Sequence, residues 1–145
     1  MSLLSALSVS ASGMAAQQTR TELLVENIAN SETTRTAEGG PYRRKDAVFS
    51  SEPVMSAFGS ELSEQLNGEL TGVTVSDISV DMRPPERRYM PGHPDADKDG
   101  YVAMPRVSPA EDMVDLMGAS RSYQANVSAI SAVKDMIQRS IDLLR

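Results

Sequence analysis

The sequence contains no cysteine, no tryptophan and only one histidine, His93. Without cysteine, neither a disulfide framework nor a thiolate metal site can form. With one histidine, a serine–histidine–acid triad has a single candidate base, and that residue lies between Gly92 and Pro94 in a turn-like segment. The glycine motifs that bind dinucleotides or phosphates are also missing. The sequence therefore predicts no catalytic site and no cofactor.

Aromatic residues and positive charge are scarce. The chain has 2 Phe and 4 Tyr, and its formal net charge is −6 at pH 7. Proteins that bind nucleic acids usually combine a basic face with stacking aromatic residues, so we expect no nucleic-acid partner. No apolar run approaches the roughly 20 residues of a spanning helix, so we expect no direct membrane insertion. The first basic residue is Arg20, and we therefore expect no cleaved secretory signal.

Both ends of the chain lack proline and are poor in glycine. All eight prolines lie between Pro41 and Pro109, and the two end segments contain one glycine each, Gly13 and Gly118. Inside a helix, proline costs about 3 kcal/mol and glycine about 1 kcal/mol relative to alanine. The ends can therefore form long helices, whereas the middle cannot.

The predicted fold class is mainly α with a small β and loop region. We expect a helix within residues 1–34, an irregular segment with short strands at 35–108, and a second helix at 109–145. Ser108 is the expected N-cap of the second helix, with Pro109 at its first position. The two helices are expected to pair as one coiled-coil-like α domain that encloses the irregular segment.

Apolar residues recur at spacings of three and four in both end segments. In the first helix, which Ser2 is expected to cap, this seam comprises Leu4, Leu7, Met14, Val25 and Ile28. In the second helix it comprises Met113, Leu116, Tyr123, Val127, Ile130, Ile137, Ile141 and Leu144. Such a pattern is typical of a coiled coil, and also of an amphipathic helix that packs on its own domain.

The middle region contains three segments with strand character, within residues 42–51, 72–82 and 100–104. In the second of these, the apolar residues change parity after Val75, which predicts a bulge or turn at Ser76 and the following residue. Residues 53–71 are polar and weakly patterned, and we expect a mobile insertion there.

Three aspartates on alternate positions, Asp95, Asp97 and Asp99, precede Gly100 and resemble the start of a calcium-binding EF-hand loop. Counted from the first aspartate, position twelve is Arg106, where that loop requires a bidentate glutamate. Nearby prolines also exclude the entering helix. The sequence therefore favours a tight polar turn with a positive φ at the glycine, and a calcium site is the alternative.

Two basic clusters lie in the middle region, one at residues 43–45 and the other at Arg87 and Arg88. The simpler interpretation is solvated loop charge. The alternative is that these clusters pair with acidic surfaces on neighbouring subunits.

Four sequence motifs resemble those of the rod and hook axial proteins of the bacterial flagellum. The first helix ends in NIAN…TT at residues 27–34, and the second contains YQAN at residues 123–126. Two stretches of the middle region, residues 39–49 and 91–107, resemble the proximal rod proteins within this family.

This resemblance implies a structural subunit of the flagellar basal-body rod, and no enzyme. Family members pair their terminal helices and assemble, with themselves and with other rod subunits, into a helical tube that transmits torque to the distal rod and hook. It implies passage through the flagellar type III export apparatus to the periplasm-spanning rod. It also adds four polar side chains to the seam as interface residues that cap helices or fix register: Asn27, Asn30, Gln124 and Asn126. The alternatives are a calcium-binding module and a sibling axial protein.

Overall fold

The computed structural model describes residues 3–53 and 71–143, without the side chains of Leu3 and Leu4. Two long helices, α1 and α2, enclose four strands, with these bounds: α1 Leu3–Ala29, β1 Lys45–Pro53, β2 Thr71–Val80, β3 Glu86–Tyr89, β4 Tyr101–Met104 and α2 Pro109–Asp142. This arrangement confirms the mainly α class with a small β region. The predicted cap Ser2, the seam residue Leu144 and most of the predicted insertion, residues 54–70, lie outside the described residues.

Helix α1 ends at a polar turn, close to the end that its sequence pattern predicts. The Asn30 backbone N–H still bonds the Glu26 carbonyl at 3.1 Å, as in a helix. The next two backbone hydrogen bonds join residues only three apart in sequence: Ser31 donates to Ile28, and Thr33 donates to Asn30. The chain therefore leaves the helix through tightening turns that satisfy its last carbonyl groups.

Helix α2 begins where its capping pattern predicts. Ser108 occupies the N-cap with extended backbone angles, φ −106° and ψ 98°, and Pro109 follows in the first turn. The Ser108 side chain makes no capping hydrogen bond. The helix start is therefore stabilised by the fixed φ of proline and by Glu111 near the positive end of the helix dipole.

Strands β1 and β2 form an antiparallel ribbon with a bulge. Val48 pairs with Asp77 and Phe49 pairs with Val75, so Ser76 is an extra residue in β2. The Ser76 hydroxyl donates a hydrogen bond to the Val48 carbonyl at 3.2 Å. The parity change in the sequence thus marks a true bulge.

Strands β3 and β4 form a second antiparallel pair, from Glu86 opposite Met104 to Tyr89 opposite Tyr101. The sequence pattern identifies β4 but misses β3. All four residues of β3 are exposed, so the strand has no alternation of apolar and polar residues to reveal it. The two tyrosine rings pack edge to face, with centroids 5.3 Å apart.

Helix α1 lies at the centre of the subunit. It packs against α2 and against the β1–β2 ribbon, whereas α2 packs against no other described helix or strand. Buried apolar side chains are therefore concentrated on α1 and on the one side of α2 that faces it: Ala16, Leu23 and Leu24 on α1, and Ala119 and Val133 on α2. The rest of the surface of α2 has no partner among the described elements.

Candidate assembly surfaces

The last turn of α1 is joined to the start of β1 by Asn27, which is fully buried. Its amide nitrogen donates to the Lys45 carbonyl at 2.8 Å, and its amide oxygen accepts from the Lys45 backbone N–H at 3.0 Å. The same oxygen accepts from the Tyr42 hydroxyl at 2.9 Å. One side chain thus bonds both backbone polar groups of Lys45 and links the end of α1 to the start of the ribbon.

Tyr42 is buried beside acidic groups, and its hydroxyl is difficult to ionise. Burial, and to a lesser extent the negative charge of Glu26, together raise the pKa of Tyr42 to about 12. A protonated hydroxyl is the form that donates to Asn27. At neutral pH the Tyr42 hydroxyl is therefore in the protonated form that this hydrogen bond requires.

The remainder of the NIAN…TT motif connects α1 to the aspartate turn. The Asn30 amide donates to the Glu26 carbonyl at 2.9 Å and accepts from the Thr33 hydroxyl at 3.2 Å. The Thr34 hydroxyl donates to Asp95 at 2.7 Å, and this bond lowers the pKa of the Asp95 carboxyl. The motif therefore organises contacts inside the subunit.

The aspartate run forms the predicted polar turn. One oxygen of Asp97 accepts backbone hydrogen bonds from Asp99 at 3.0 Å and from Tyr101 at 2.9 Å. Gly100 has φ +79°, and a Cβ there would lie 2.9 Å from a ring carbon of Tyr89. The carboxylates of Asp95 and Asp97 are engaged in internal contacts, and nothing supports the calcium-binding alternative. No group of three or more His, Asp or Glu residues within the described ranges is placed to hold a metal ion.

The single histidine also belongs to this turn. Its Nδ1 accepts a hydrogen bond from the backbone N–H of Asp95 at 3.1 Å. His93 therefore stabilises the loop conformation.

A buried carboxylate joins the start of α2 to the segment before β1. Asp112 is fully buried, and its Oδ1 lies 2.9 Å from Nη2 of Arg44. Neither carboxylate oxygen of Asp112 has a hydrogen-bond partner. The Arg44 guanidinium is therefore close to the carboxylate but not oriented to donate to it. Burial raises the pKa of Asp112, and the charge of Arg44 offsets only part of this effect. The Arg44 Nε atom instead donates to both oxygens of Asp46, each at 3.1 Å.

The two helices run antiparallel and approach closely at the YQAN motif. A Cβ at Gly13 of α1 would lie 3.0 Å from Nδ2 of Asn126 in α2. Further along, Arg20 of α1 lies 3.6 Å from Asp115 of α2. Glycine therefore leaves space for an amide side chain between the helix backbones, and the exposed ion pair adds little stability.

The buried side of α2 repeats every seven residues. Asp112 and Ala119 are fully buried, Asn126 is half-buried, and Val133 is 7% exposed. Four predicted seam residues lie four positions after these: Leu116, Ile130 and Ile137 are half-buried, and Tyr123 is 37% exposed. The 3-4 spacing is thus present, but three of these eight positions carry small or polar side chains.

The other predicted seam residues of α2 lie beside this buried stripe. Met113, Val127 and Ile141 are 53%, 40% and 54% exposed, and Gln124 is also exposed. These large apolar residues lie one position away from the residues that are actually buried. The buried residues include a carboxylate, a methyl group and an amide. In the single subunit these four side chains face solvent, and their interface role stays a prediction.

The seam residues of α1 show a similar mixture. Leu7, Met14, Ile28 and Asn30 are half-buried, whereas Val25 is 51% exposed. The side chain of the remaining seam residue, Leu4, is outside the description. Two of the most buried positions, Ala16 and Leu24, escape the sequence pattern because α1 is covered on two sides and a single stripe does not describe it.

The ribbon is tied to α1 by a side chain of the helix. The Ser12 hydroxyl donates to the Val9 carbonyl and accepts from the Val73 backbone N–H of β2 at 3.1 Å. A serine inside a helix therefore provides the partner for a strand N–H group.

The helices of the described residues include none with the length and apolar character needed to cross a bilayer.

Comparison with known proteins identifies the family. Residues 98–143 match the family described as Flagellar basal body rod FlgEFG protein C-terminal. The chain is 39% identical to the flagellar basal-body rod protein FlgC of Borreliella burgdorferi, over 100% of this chain and 99% of that protein. It is 39% identical to FlgC of Bacillus subtilis, over 99% of each chain, and 38% identical to FlgC of Salmonella typhimurium, over 99% of this chain and 98% of that protein. The chain therefore belongs to the FlgC family of flagellar basal-body rod proteins.

Proposed function

We propose that this rod protein acts mechanically, as a building block of the proximal rod that transmits torque from the motor to the distal rod and hook. In this proposal, α1 and α2 pack as a coiled-coil-like pair and present their remaining apolar side chains to neighbouring subunits. The partners are other copies of the chain and other rod subunits, and the subunit reaches them through the flagellar type III export apparatus.

The observation that carries the proposal is the exposed apolar surface of α2. This 34-residue helix has only three buried residues. The large apolar side chains of α2 and its C-cap that have exposures between 37% and 87% are Met113, Val114, Met117, Tyr123, Val127, Met136, Ile141 and Leu143. An apolar surface of this extent, on a helix with one packed side, is typical of a subunit that is completed by its neighbours.

The contributions of these side chains to the free energy of association add up. Burial of a whole side chain of this size contributes about 1.5–3 kcal/mol, so a half-exposed one has about half of that still to gain. Several such residues per subunit are enough to offset part of the entropy loss on association. A contact between two different surfaces that does not close on itself produces a helical filament, which is the architecture of a rod.

The substitution Ile130→Asp tests this proposal. Ile130 is half-buried beside the helix–helix contact, and a carboxylate there disturbs both the helix pair and its surroundings. We expect cells that carry this variant as their only copy to lack rods and motility, while the variant subunit is still exported. Ser131→Asp, at the adjacent exposed position, is the matched control and should leave motility unchanged. Normal swimming of the Ile130→Asp strain would contradict the proposal.

A further inference from the structure

Two amide side chains in the contact between α1 and α2 make no hydrogen bond. The Oε1 atom of Gln17 is buried and has no hydrogen-bond partner. Asn126 makes no side-chain hydrogen bond within the described part of the chain, although its Nδ2 lies 3.0 Å from where a Cβ of Gly13 would be. The contact therefore contains an unpaired acceptor on α1 and an unpaired donor on α2.

Gln17 lies on the side of α1 that faces α2. Gly13 and Arg20 precede and follow it by four and three residues, so all three share one face of the helix. Gly13 meets Asn126, and Arg20 lies 3.6 Å from Asp115. Helical side chains lean toward the N-terminus of their own helix. Because the two helices are antiparallel, the amides of Gln17 and Asn126 lean toward each other.

The amide of Gln17 destabilises the single subunit. A buried acceptor without a partner loses its hydrogen bonds to water and gains none in return. The adjacent Gln18 differs, because it is exposed and its Nε2 donates to Glu22 at 3.1 Å. An unbranched apolar side chain such as methionine would fill the space at position 17 without an amide. Packing within the subunit therefore does not explain this glutamine.

We propose that Gln17 sets the register of α1 on α2 in the assembled rod, by accepting a hydrogen bond from the Asn126 amide. The inference rests on the proposed function, because neighbouring subunits cover the helix pair only in a rod. Both residues are half-buried in the single subunit, so water can reach part of each amide. Neighbours that cover the pair remove this water, and each amide is then the available partner of the other.

The residues on either side of Asn126 make this pairing specific to one register. Ala119 precedes it by seven residues and Val133 follows it by seven, and both are buried on the same side of α2. Neither side chain can donate a hydrogen bond. A helix pair shifted by seven residues would thus leave the Gln17 acceptor unpaired in a covered site. A single buried polar residue fixes register in coiled coils for the same reason, at a cost in stability.

Thermal unfolding of the purified full chain tests the cost in the single subunit. Gln17→Met should raise the Tm by about 3 °C, because it removes an unsatisfied buried acceptor. Gln18→Met is the matched control and should not raise the Tm, since its amide is exposed and already bonded. An unchanged or lower Tm for Gln17→Met would overturn the inference.

Electron microscopy of basal bodies, with each variant as the only copy, tests the role in assembly. Gln17→Met should reduce complete rods per cell about fivefold in spite of its higher Tm, whereas Gln18→Met should not. A residue that only stabilised the subunit would not give these opposite effects. Asn126→Ala should cause the same loss, and the double variant should lose no more, because the same bond is removed each time.

The competing donor on the buried side of α2 is the Tyr123 hydroxyl, which Tyr123→Phe removes. This variant should assemble normally, and a loss of rods with it but not with Asn126→Ala would overturn the inference. Wild-type numbers of rods with Gln17→Met, or losses that multiply in the double variant, would also overturn it and leave the proposed function intact. Failure of the unsubstituted chain to enter basal bodies would refute both.

Discussion

Replacement of Asn27 by alanine should destabilise the subunit more than any other single truncation of a polar side chain in α1. The substitution removes three hydrogen bonds, one from Tyr42 and two with the backbone of Lys45. It leaves a backbone N–H, a backbone carbonyl and a hydroxyl without their partner at a position that is fully buried in the native chain.

The magnitude follows from the burial of these three groups. An unsatisfied buried polar group costs about 1–3 kcal/mol. Lys45 is half-buried, so water can solvate part of its backbone after the substitution. The lower end of the range is therefore appropriate, and the expected loss is about 3 kcal/mol in the free energy of unfolding. For a chain of this size it corresponds to a decrease in Tm of about 10 °C.

Thermal unfolding of the purified chain, followed by circular dichroism at neutral pH, measures this decrease. Asn30→Ala is the matched control, because its side chain bonds only Glu26 and Thr33 in the adjacent turns. It should lower the free energy of unfolding by about 1 kcal/mol. If Asn27→Ala and Asn30→Ala unfold at the same temperature, the three hydrogen bonds of Asn27 do not stabilise the subunit.

Four further variants test other contacts. Tyr42→Phe should be less stable than the wild type below pH 10, and this difference should disappear as the pH rises to about 12, because the raised pKa of Tyr42 stabilises the fold only while the hydroxyl is protonated. Asp112→Asn should raise the Tm at pH 7 and lose this advantage in acid, because the buried carboxylate has a raised pKa and is a net penalty when charged. Gly13→Leu should separate the helices and cost about 2 kcal/mol or more, whereas Gly13→Ala combined with Asn126→Ala should gain about 1 kcal/mol of helix propensity.

For each of these contacts, one result would contradict the prediction. A stability difference for Tyr42→Phe that does not change between pH 9 and pH 12 would show that the hydroxyl ionises as freely in the folded chain as in the unfolded one. A lower Tm for Asp112→Asn would show that attraction to Arg44 outweighs desolvation. Wild-type stability of Gly13→Leu would show that the helices do not approach closely at this glycine.

The sequence predicts the helices and most strands because proline, capping residues and alternation act locally. The start of α2 at Pro109 and the bulge at Ser76 follow from such local signals. Strand β3 escapes prediction because its pairing with β4 is set by the turn between them, and its own four residues are exposed.

The internal packing of the helices is less predictable. The buried positions of α2 include Asp112, Ala119 and Asn126, and none of these is a large apolar residue. Asp112 and Asn126 lie against Arg44 and Gly13, which are far away in sequence. Large apolar residues such as Met113 are instead exposed, as expected if they are reserved for neighbouring subunits.

The resemblance to rod proteins predicts the same interface role for several polar residues, but the structure places these residues in two different environments. Asn27 is fully buried and acts within the subunit, where it joins α1 to β1. Gln124 is exposed and is available to a neighbour. A motif alone could not separate these roles, because both residues are polar amides beside an apolar seam.

The central claim is that exposed apolar side chains of α2 join this subunit to its neighbours, and Met113→Asp tests it most directly. Met113 is 53% exposed in the single chain, so a carboxylate there should leave the Tm unchanged. Basal bodies isolated from cells with this variant as the only copy should lack complete rods by electron microscopy, whereas Ser122→Asp, at an exposed polar position of α2, should assemble normally. Complete rods at wild-type frequency in the Met113→Asp strain would contradict the account.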